Sequence, residues 1–355
     1  MSATLKQLAE YTSLSIATVS EILNHKKRPY NEETRQRVFD AARQLGYRPN
    51  ASARSIKWGK FSTIALLQST IHTRNSLPST LLHSIEEELA GREQLLLLGS
   101  VTDEQLQGQD SIPRILRTWA ADGLLINYLS GYPQQLEEFV SRQNFPSVWI
   151  NSKHGQDCIY PDDMAGAALA TEYLIGLGHR NIAFVNYNFG RFSSPVHYSS
   201  LDRFSGFRQV MARERLMAVG ISDDDTIPLS ERLEYSKRWL SAPNRPTAVL
   251  CYAKETSIPV YIAACCLGLE VPGDLSIIHF DDSLTDIHGT KMDTLILPEQ
   301  EIGRLAVEEL MKKIQNPSYN FPARALMSKL VTGWTTGLAP RTSKPARGRK
   351  NHKTS

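Results

Sequence analysis

Apolar residues recur at helical spacing three times within the first 45 positions. Leu5, Leu8 and Ala9 fall at i, i+3 and i+4, and after the break "TSLS" the stripe returns as Val19, Ile22 and Leu23. Ser15 stands where the second helix needs an N-cap, leaving Ile16, Ala17, Ser20 and Glu21 to face outward. A third helix is predicted from the cap Asn31 through Val38, Phe39, Ala42 and Leu45 to Gly46, with Glu32 and Glu33 near its N-terminal dipole. From residue 61 the pattern changes. Short apolar runs at 62–68, 94–100, 123–128, 147–151, 181–187, 247–252 and 275–280 read as strands. Helical stretches, among them 79–91, 164–177, 203–217 and 299–314, separate them. Strand–helix alternation predicts parallel sheets covered on both faces.

With 355 residues the chain is too long for one core, so two or three units are expected. No apolar run approaches the roughly 20 residues that cross a bilayer, and Lys6 and Glu10 interrupt any signal-peptide pattern. The four cysteines form no C-x-x-C pair, and vicinal Cys265 and Cys266 read as part of a buried helix rather than a metal site. These features predict a reduced, cytoplasmic chain with no membrane partner and no cofactor.

The net charge of +3 conceals an uneven distribution. Residues 1–60 carry eleven Lys and Arg against five Asp and Glu, a net of +6. Residues 341–355 carry six basic residues and no acidic one, and the stretch between carries −9. A basic head and tail around an acidic body point to a polyanionic partner at the ends.

A helix–turn–helix unit places the start of its second helix in the DNA major groove. Ile16 and Ala17 suit a thymine methyl, Ser20 can donate or accept, and Lys26, Lys27 and Arg28 can reach phosphates. A small three-helix bundle that packs on another domain has the same pattern. Residues 47–57, "YRPNASARSIK", favour DNA. Asn50 caps two turns at most, which order only on a surface, and Ile56 beside Arg54 is what a minor-groove wedge requires.

These segments, "TLKQLA" with "ATVSEILN", "ETRQRVFDAARQLGYRPN" and "SARSI", resemble the headpiece and hinge of the lactose/galactose-repressor (LacI/GalR-type) family of bacterial transcriptional regulators. The resemblance continues more weakly to about residue 337. It implies an all-α helix–turn–helix headpiece (1–49) and a hinge (50–60). Beyond them would lie an α/β two-lobed body (61–340) similar to periplasmic binding proteins, with parallel sheets, and a basic tail (341–355). The N-lobe is expected over 61–161 plus 292–322 and the C-lobe over 162–291 plus 323–340. The expected DNA contacts are Thr4, Ser15, Ile16, Ala17, Thr18, Ser20, Glu21, Asn24 and Lys26, then Asn50, Ala53, Arg54 and Ile56. Glu21 stands where the family usually has arginine. As an acceptor only, it either takes a proton from a cytosine amino group or points to solvent or a basic neighbour.

In the body, ligands are expected beyond the carboxyl ends of strands. Ser69, Asn127, Asn151 and Asp281 end strand candidates, and Arg203 lies in a segment matching the family's R-x-x-G-aromatic pattern, whose arginine commonly binds effector. Converging on one cleft, they favour a polar small molecule such as a sugar. Lys254 replaces part of a usual Asn-Asp pair. It either neutralises an anionic effector or pairs with Asp281, Asp282 or Glu299. "DDMAG" (162–166) matches the crossover between lobes and reads as structural. The loop 186–200 carries Tyr187, Phe189, Phe192 and Tyr198, which either cover the cleft or pack locally.

No HExxH, P-loop, GxSxG or GxGxxG motif sits at a strand–helix junction, so no catalytic residue is expected. The reading is a cytoplasmic, nucleoid-associated repressor, acting as a homodimer on a pseudo-palindromic double-stranded operator and controlled by a sugar-like effector. The tail lacks the leucine heptads of a tetramer. The alternatives are a solute sensor that has lost operator binding and a sugar-processing enzyme.

Overall fold

The computed structural model describes residues 3–23, 30–47, 60–70, 76–102, 121–129, 131–132, 134–143, 145–187, 197–221, 227–287 and 289–340. The chain folds as two units, residues 1–61 and 62–355.

The first unit contains α1 (Leu5–Thr12), α2 (Ile16–Leu23) and α3 (Glu32–Gln44). Leu8, Ala9, Val19, Ile22, Val38 and Ala41 form its core, with Leu5, Leu23, Phe39, Ala42 and Leu45 packed at the margin. Thr4 and Gln7 close a capping box on α1, and Ser13 turns the chain towards α2 in the left-handed conformation (φ +53°). Asn31 caps α3 by accepting from the Glu33 amide at 2.8 Å.

The second unit has two sheets. One contains β1 (Thr63–Ser69), β2 (Leu95–Val101), β3 (Gly123–Asn127), β4 (Ser147–Ile150), β5 (Cys158–Pro161) and a late strand, Arg324–Leu326. The other contains β6 (Ile182–Val185), β7 (Val219–Ile221), β8 (Ala248–Cys251), β9 (Ser276–Asp281) and Asp293–Ile296, with Lys329–Val331 on its edge. A two-stranded ribbon, β10 (Asp286–Ile287) with β11 (Thr290–Lys291), lies between, so the late strands are β12 (293–296), β13 (324–326) and β14 (329–331). The sheet orders are β2-β1-β3-β4-β5-β13 and β7-β6-β8-β9-β12-β14, all parallel except the β12–β14 pair. Both lobes therefore repeat one doubly wound topology, and each has its switch point beside its first strand.

The helices are α4 (Ser79–Ala90), α5 (Gln134–Gln143), α6 (Asp163–Gly176), α7 (Tyr198–Arg213), α8 (Arg232–Leu240), α9 (Lys254–Cys266) and α10 (Glu299–Gln315). Strand side chains alternate between faces, so β1 feeds two cores. Ile64 and Leu66 join Ile85 of α4 and Leu310 of α10, while Ala65 and Leu67 join Leu136 of α5. Each fully buried leucine or isoleucine contributes about 1.5–3 kcal/mol.

The structure corrects the expected lobe boundaries. Asp293–Ile296 pairs with Ile278–Asp281, and Leu295 packs beside Phe280, so this stretch belongs to the C-lobe. Arg324–Leu326 pairs with Ile159–Pro161 in the N-lobe. The later crossings therefore fall near Leu297–Pro298 and Met327–Ser328. Cys265 and Cys266 end α9 as predicted but are exposed, because Val260, Ala263 and Ala264 form its buried stripe. The hinge 50–60, apart from Lys60, and the tail 341–355 lie outside the described residues.

One glycine sets the approach of α7 to α6. A Cβ on Gly206 would stand 2.1 Å from the Met164 carbonyl oxygen, so the helices cannot keep this spacing with any larger residue. Gly206→Ala is expected to lower the stability of the body by about 1–3 kcal/mol, the usual range for overpacking. Urea unfolding followed by tryptophan fluorescence checks it, and an unchanged midpoint contradicts the packing account.

Candidate functional site

In the headpiece the α2 face is as apolar as the sequence implied. Ile16 is 49% exposed, Ala17 is exposed, and Thr18, Ser20 and Glu21 are half-buried. The polar residues are less available than expected. Ser15 Oγ accepts from the Thr18 amide at 3.0 Å and lies 2.8 Å from the Thr18 hydroxyl, while the Thr4 hydroxyl is held in the α1 capping box. Both therefore serve helix starts. Glu21 Oε2 accepts a hydrogen bond from the Tyr30 hydroxyl, which ties its carboxylate into the headpiece. Tyr30 is a partner that neither expectation for Glu21 named. Asn24, Lys26, Asn50, Ala53, Arg54 and Ile56 lie outside the described residues.

Between the two lobes lies a cleft of about 650 Å³. Asn151, Arg203, Lys254 and Asp281 line it, as expected. Ser69 and Asn127 do not. Both are fully buried at the β1 and β3 ends, and the Asn127 amide donates to the Ser76 carbonyl at 2.9 Å. Ser76, Leu77 and Pro78 line the cleft there instead.

Arg203 organises the C-lobe wall. Its Nε donates to Asp163 Oδ1 at 2.6 Å and its Nη1 to the Tyr252 carbonyl at 2.6 Å, with the guanidinium 4.0 Å from the Phe280 ring centroid. Burial alone would lower the guanidinium pKa, but the adjacent Asp163 carboxylate outweighs it, so the group is held above its ordinary value. Asp162 caps α6 and Asp163 holds Arg203, which fits the structural reading of "DDMAG", and Asp163 also lines the cleft.

Lys254 Nζ pairs with Asp281 Oδ2 at 3.0 Å, the second of the two expectations for it. Burial opposes ionisation of Asp281, yet hydrogen bonds from Lys254 and Thr285 hold its carboxyl below the usual range. His197 bridges the lobes, with Nε2 2.8 Å from the Asn151 carbonyl and Nδ1 2.7 Å from the Ser199 hydroxyl, and burial lowers its pKa. Of the loop aromatics, Tyr198 lines the cleft. Tyr187 packs in the C-lobe core, 2.6 Å from the Ser236 hydroxyl, and Phe189 and Phe192 lie outside the described residues.

Glu299, which the sequence offers only as one possible partner of Lys254, is 3% exposed on the cleft wall at the first position of α10. In sequence it looks like an ordinary acid in a helix's first turn. Asn151 Nδ2 donates to Glu299 Oε2 at 3.2 Å. Burial, reinforced by Asp282 and Asp163 and opposed by Asn151 and Arg203, raises its pKa from 4.5 to about 7. Among the described residues, no group of His, Cys, Asp and Glu is arranged to hold a metal ion.

A small helical unit with an apolar outer face, joined to a two-lobed body with a polar cleft, defines a ligand-responsive DNA-binding regulator. Residues 4–50 match the lacI family of bacterial regulatory proteins, and residues 171–336 match a periplasmic binding protein-like domain. The ribose operon repressor of Haemophilus influenzae is 26% identical over 324 residues, covering 90% of this chain and 94% of that protein. The transcriptional repressor PurR of Vibrio cholerae is 28% identical over 333 residues, covering 89% and 93%. The Lac repressor dimer bound to operator and the anti-inducer ONPF shares the fold, with a TM-score of 0.76 at 22% identity over 95% of this chain and all of that one. The chain belongs to the lacI family of bacterial regulatory proteins.

The Glu299 shift makes stability depend on pH. The folded state keeps this proton until about pH 7, while the unfolded chain releases it near 4.5. The stabilisation is complete below about pH 4.5 and is lost as pH rises through about 7. Glu299→Gln should therefore gain on the unmodified protein between pH 5 and pH 8, by on the order of 3 kcal/mol at most. Urea titrations at both pH values measure it, and an equal difference at the two contradicts the assignment.

Proposed function

We propose that this regulator represses transcription by binding a pseudo-palindromic operator as a homodimer, and that a small hydroxylated effector in the interlobe cleft sets its operator affinity. The cleft carries this reading: polar groups from both lobes converge on one space, bridged by His197. Lobe closure then alters the path of the chain entering the first lobe at Thr63 and, through it, the spacing of two headpieces. The ribose operon repressors among its relatives, and solved structures of transcriptional regulators of the same fold with bound ribose or cellobiose, support a sugar-like effector. Ile16 and Ala17 would meet base edges, the basic head and hinge would meet phosphates, and Ile56 would wedge the minor groove. Among the described residues no helix is long and apolar enough to cross a membrane. The protein would work in the cytoplasm, on the nucleoid.

The cleft does not favour an anionic effector. Among its described lining residues, Asp163, Glu255, Asp281, Asp282 and Glu299 face only two strong bases, Arg203 and Lys254, each already ion-paired. Selection of operators from genomic fragments, repeated with pentoses, hexoses and disaccharides, tests the function. Enrichment of a palindromic site that one sugar class abolishes or strengthens supports it, and no enriched site rejects it. On the selected operator, Ile16→Ala should change preference at one base pair per half-site by about 1–3 kcal/mol, the scale of a single mismatch. A uniform change across a library of operator variants would remove Ile16 from base readout.

A further inference from the structure

The charged side chains around the cleft do not balance, and the imbalance is deepest at Glu299. Its carboxyl is 3% exposed at the start of α10, where the chain crosses back into the N-lobe. The two strong bases among the described cleft residues are already engaged, Arg203 by Asp163 at 2.6 Å and Lys254 by Asp281 at 3.0 Å. Glu299 forms no ion pair with a described residue, and Asn151 is its hydrogen-bond donor. A buried carboxyl with no counter-ion is costly unless something else supplies the positive charge.

Hydrogen-bonding capacity is skewed in the same direction. Asn151 Oδ1 and Asp163 Oδ2 are buried acceptors with no partner among the described residues, and both side chains line the cleft. The Tyr198 hydroxyl likewise has none. Both ring nitrogens of His197 are occupied, so it adds no free donor. An ammonium group has three donors and no acceptor, which complements this set better than a hydroxyl, which brings an acceptor with every donor.

We propose that the effector is a polyol bearing a protonated amine, such as an amino sugar or amino alditol, and that Glu299 is the counter-ion of its ammonium group. This deepens the effector-site reading above and rests on it. The amine replaces the missing positive charge, while Asn151 Oδ1 and Asp163 Oδ2 accept its remaining protons.

Binding then depends on the ionisation of Glu299, whose carboxyl titrates at about 7. The charged and titratable groups facing it are Asp163 of α6, Arg203 and Tyr198 of α7, His197 just before α7, and Asp282 after β9. Of these, burial pushes His197 towards its neutral form and Arg203 stays charged. An ammonium ligand should bind more weakly as pH falls below about 7, because Glu299 must first lose its proton.

The test is calorimetry, with ligand-detected NMR for weak binders, on the full chain and matched pairs: glucosamine with glucose, galactosamine with galactose, and 1-amino-1-deoxysorbitol with sorbitol. In at least one pair the amine should bind tenfold or more tighter at about pH 7.5, and lose about tenfold in affinity by about pH 5.5. Glu299→Gln should abolish both the preference and the pH dependence. The unmodified protein's pH dependence decides the matter if that variant does not fold. A neutral member that binds as tightly as its amine, or tighter, overturns the amine proposal and leaves the effector site standing. If no member of any pair binds while operator binding is intact, the polyol-effector reading fails and the amine proposal with it.

Discussion

The guanidinium of Arg203 is buried where two helices and two strand ends of the C-lobe meet. It bonds Asp163 at the start of α6 and the backbone after β8, and it covers the ring of Phe280 on β9. The cleft wall depends on this contact, because those elements carry Lys254, Asp281 and the Tyr252 ring. Gly206, one helical turn along α7 from Arg203, lets α7 approach α6 closely enough for the pair to form. A buried pair of this kind contributes little net stability beyond a well-packed apolar substitute, but removing one partner leaves an uncompensated charge, at a cost of about 3–5 kcal/mol. Its role is to fix geometry: four elements are held in one arrangement, and with them the C-lobe face that a ligand meets.

With Arg203 neutralised by Asp163, and Lys254 by Asp281, the lining residues retain an excess of carboxylates. The opposite lobe contributes Asn151, the Ser76–Pro78 segment and, at the crossing, Glu299. His197 joins the walls through the Asn151 carbonyl, and Thr80 of the N-lobe reaches Asp282 of the C-lobe at 3.2 Å. These interlobe contacts are hydrogen bonds rather than apolar packing, so changes in the charge and hydration of the cleft can shift the opening of the lobes at small energetic cost.

The architecture was legible in the sequence wherever periodicity was strong. The strand candidates up to 275–280 appear within a residue or two of their observed ends, because parallel strands buried on both faces read as unbroken apolar runs. β5, β7 and β10 to β14 were missed because they are two to four residues long, and the lobe of β12 to β14 is decided by pairing partners rather than by any local pattern. Among the candidate site residues, Asn151, Arg203, Lys254 and Asp281 reached the cleft. Ser69 and Asn127 did not, because a strand-end polar residue can equally anchor the following loop, as Asn127 does with Ser76. Glu299 carried no distinguishing signal: an acid in a helix's first turn is expected at the surface, and only the fold buries it. Glu21 likewise depended on a tertiary partner, Tyr30, nine residues away.

A headpiece that meets DNA and a cleft that meets a small molecule make one regulator only if the two sites share a free energy. Linkage requires the coupling to be reciprocal. The most direct measurement is therefore the affinity of an effector, once identified, for the free protein and for the operator-bound protein, together with the operator affinity in the presence and absence of that effector. The same factor is expected in both directions, about 5–150-fold for ordinary allosteric coupling. An effector that binds the cleft with equal affinity whether or not operator is present would contradict it.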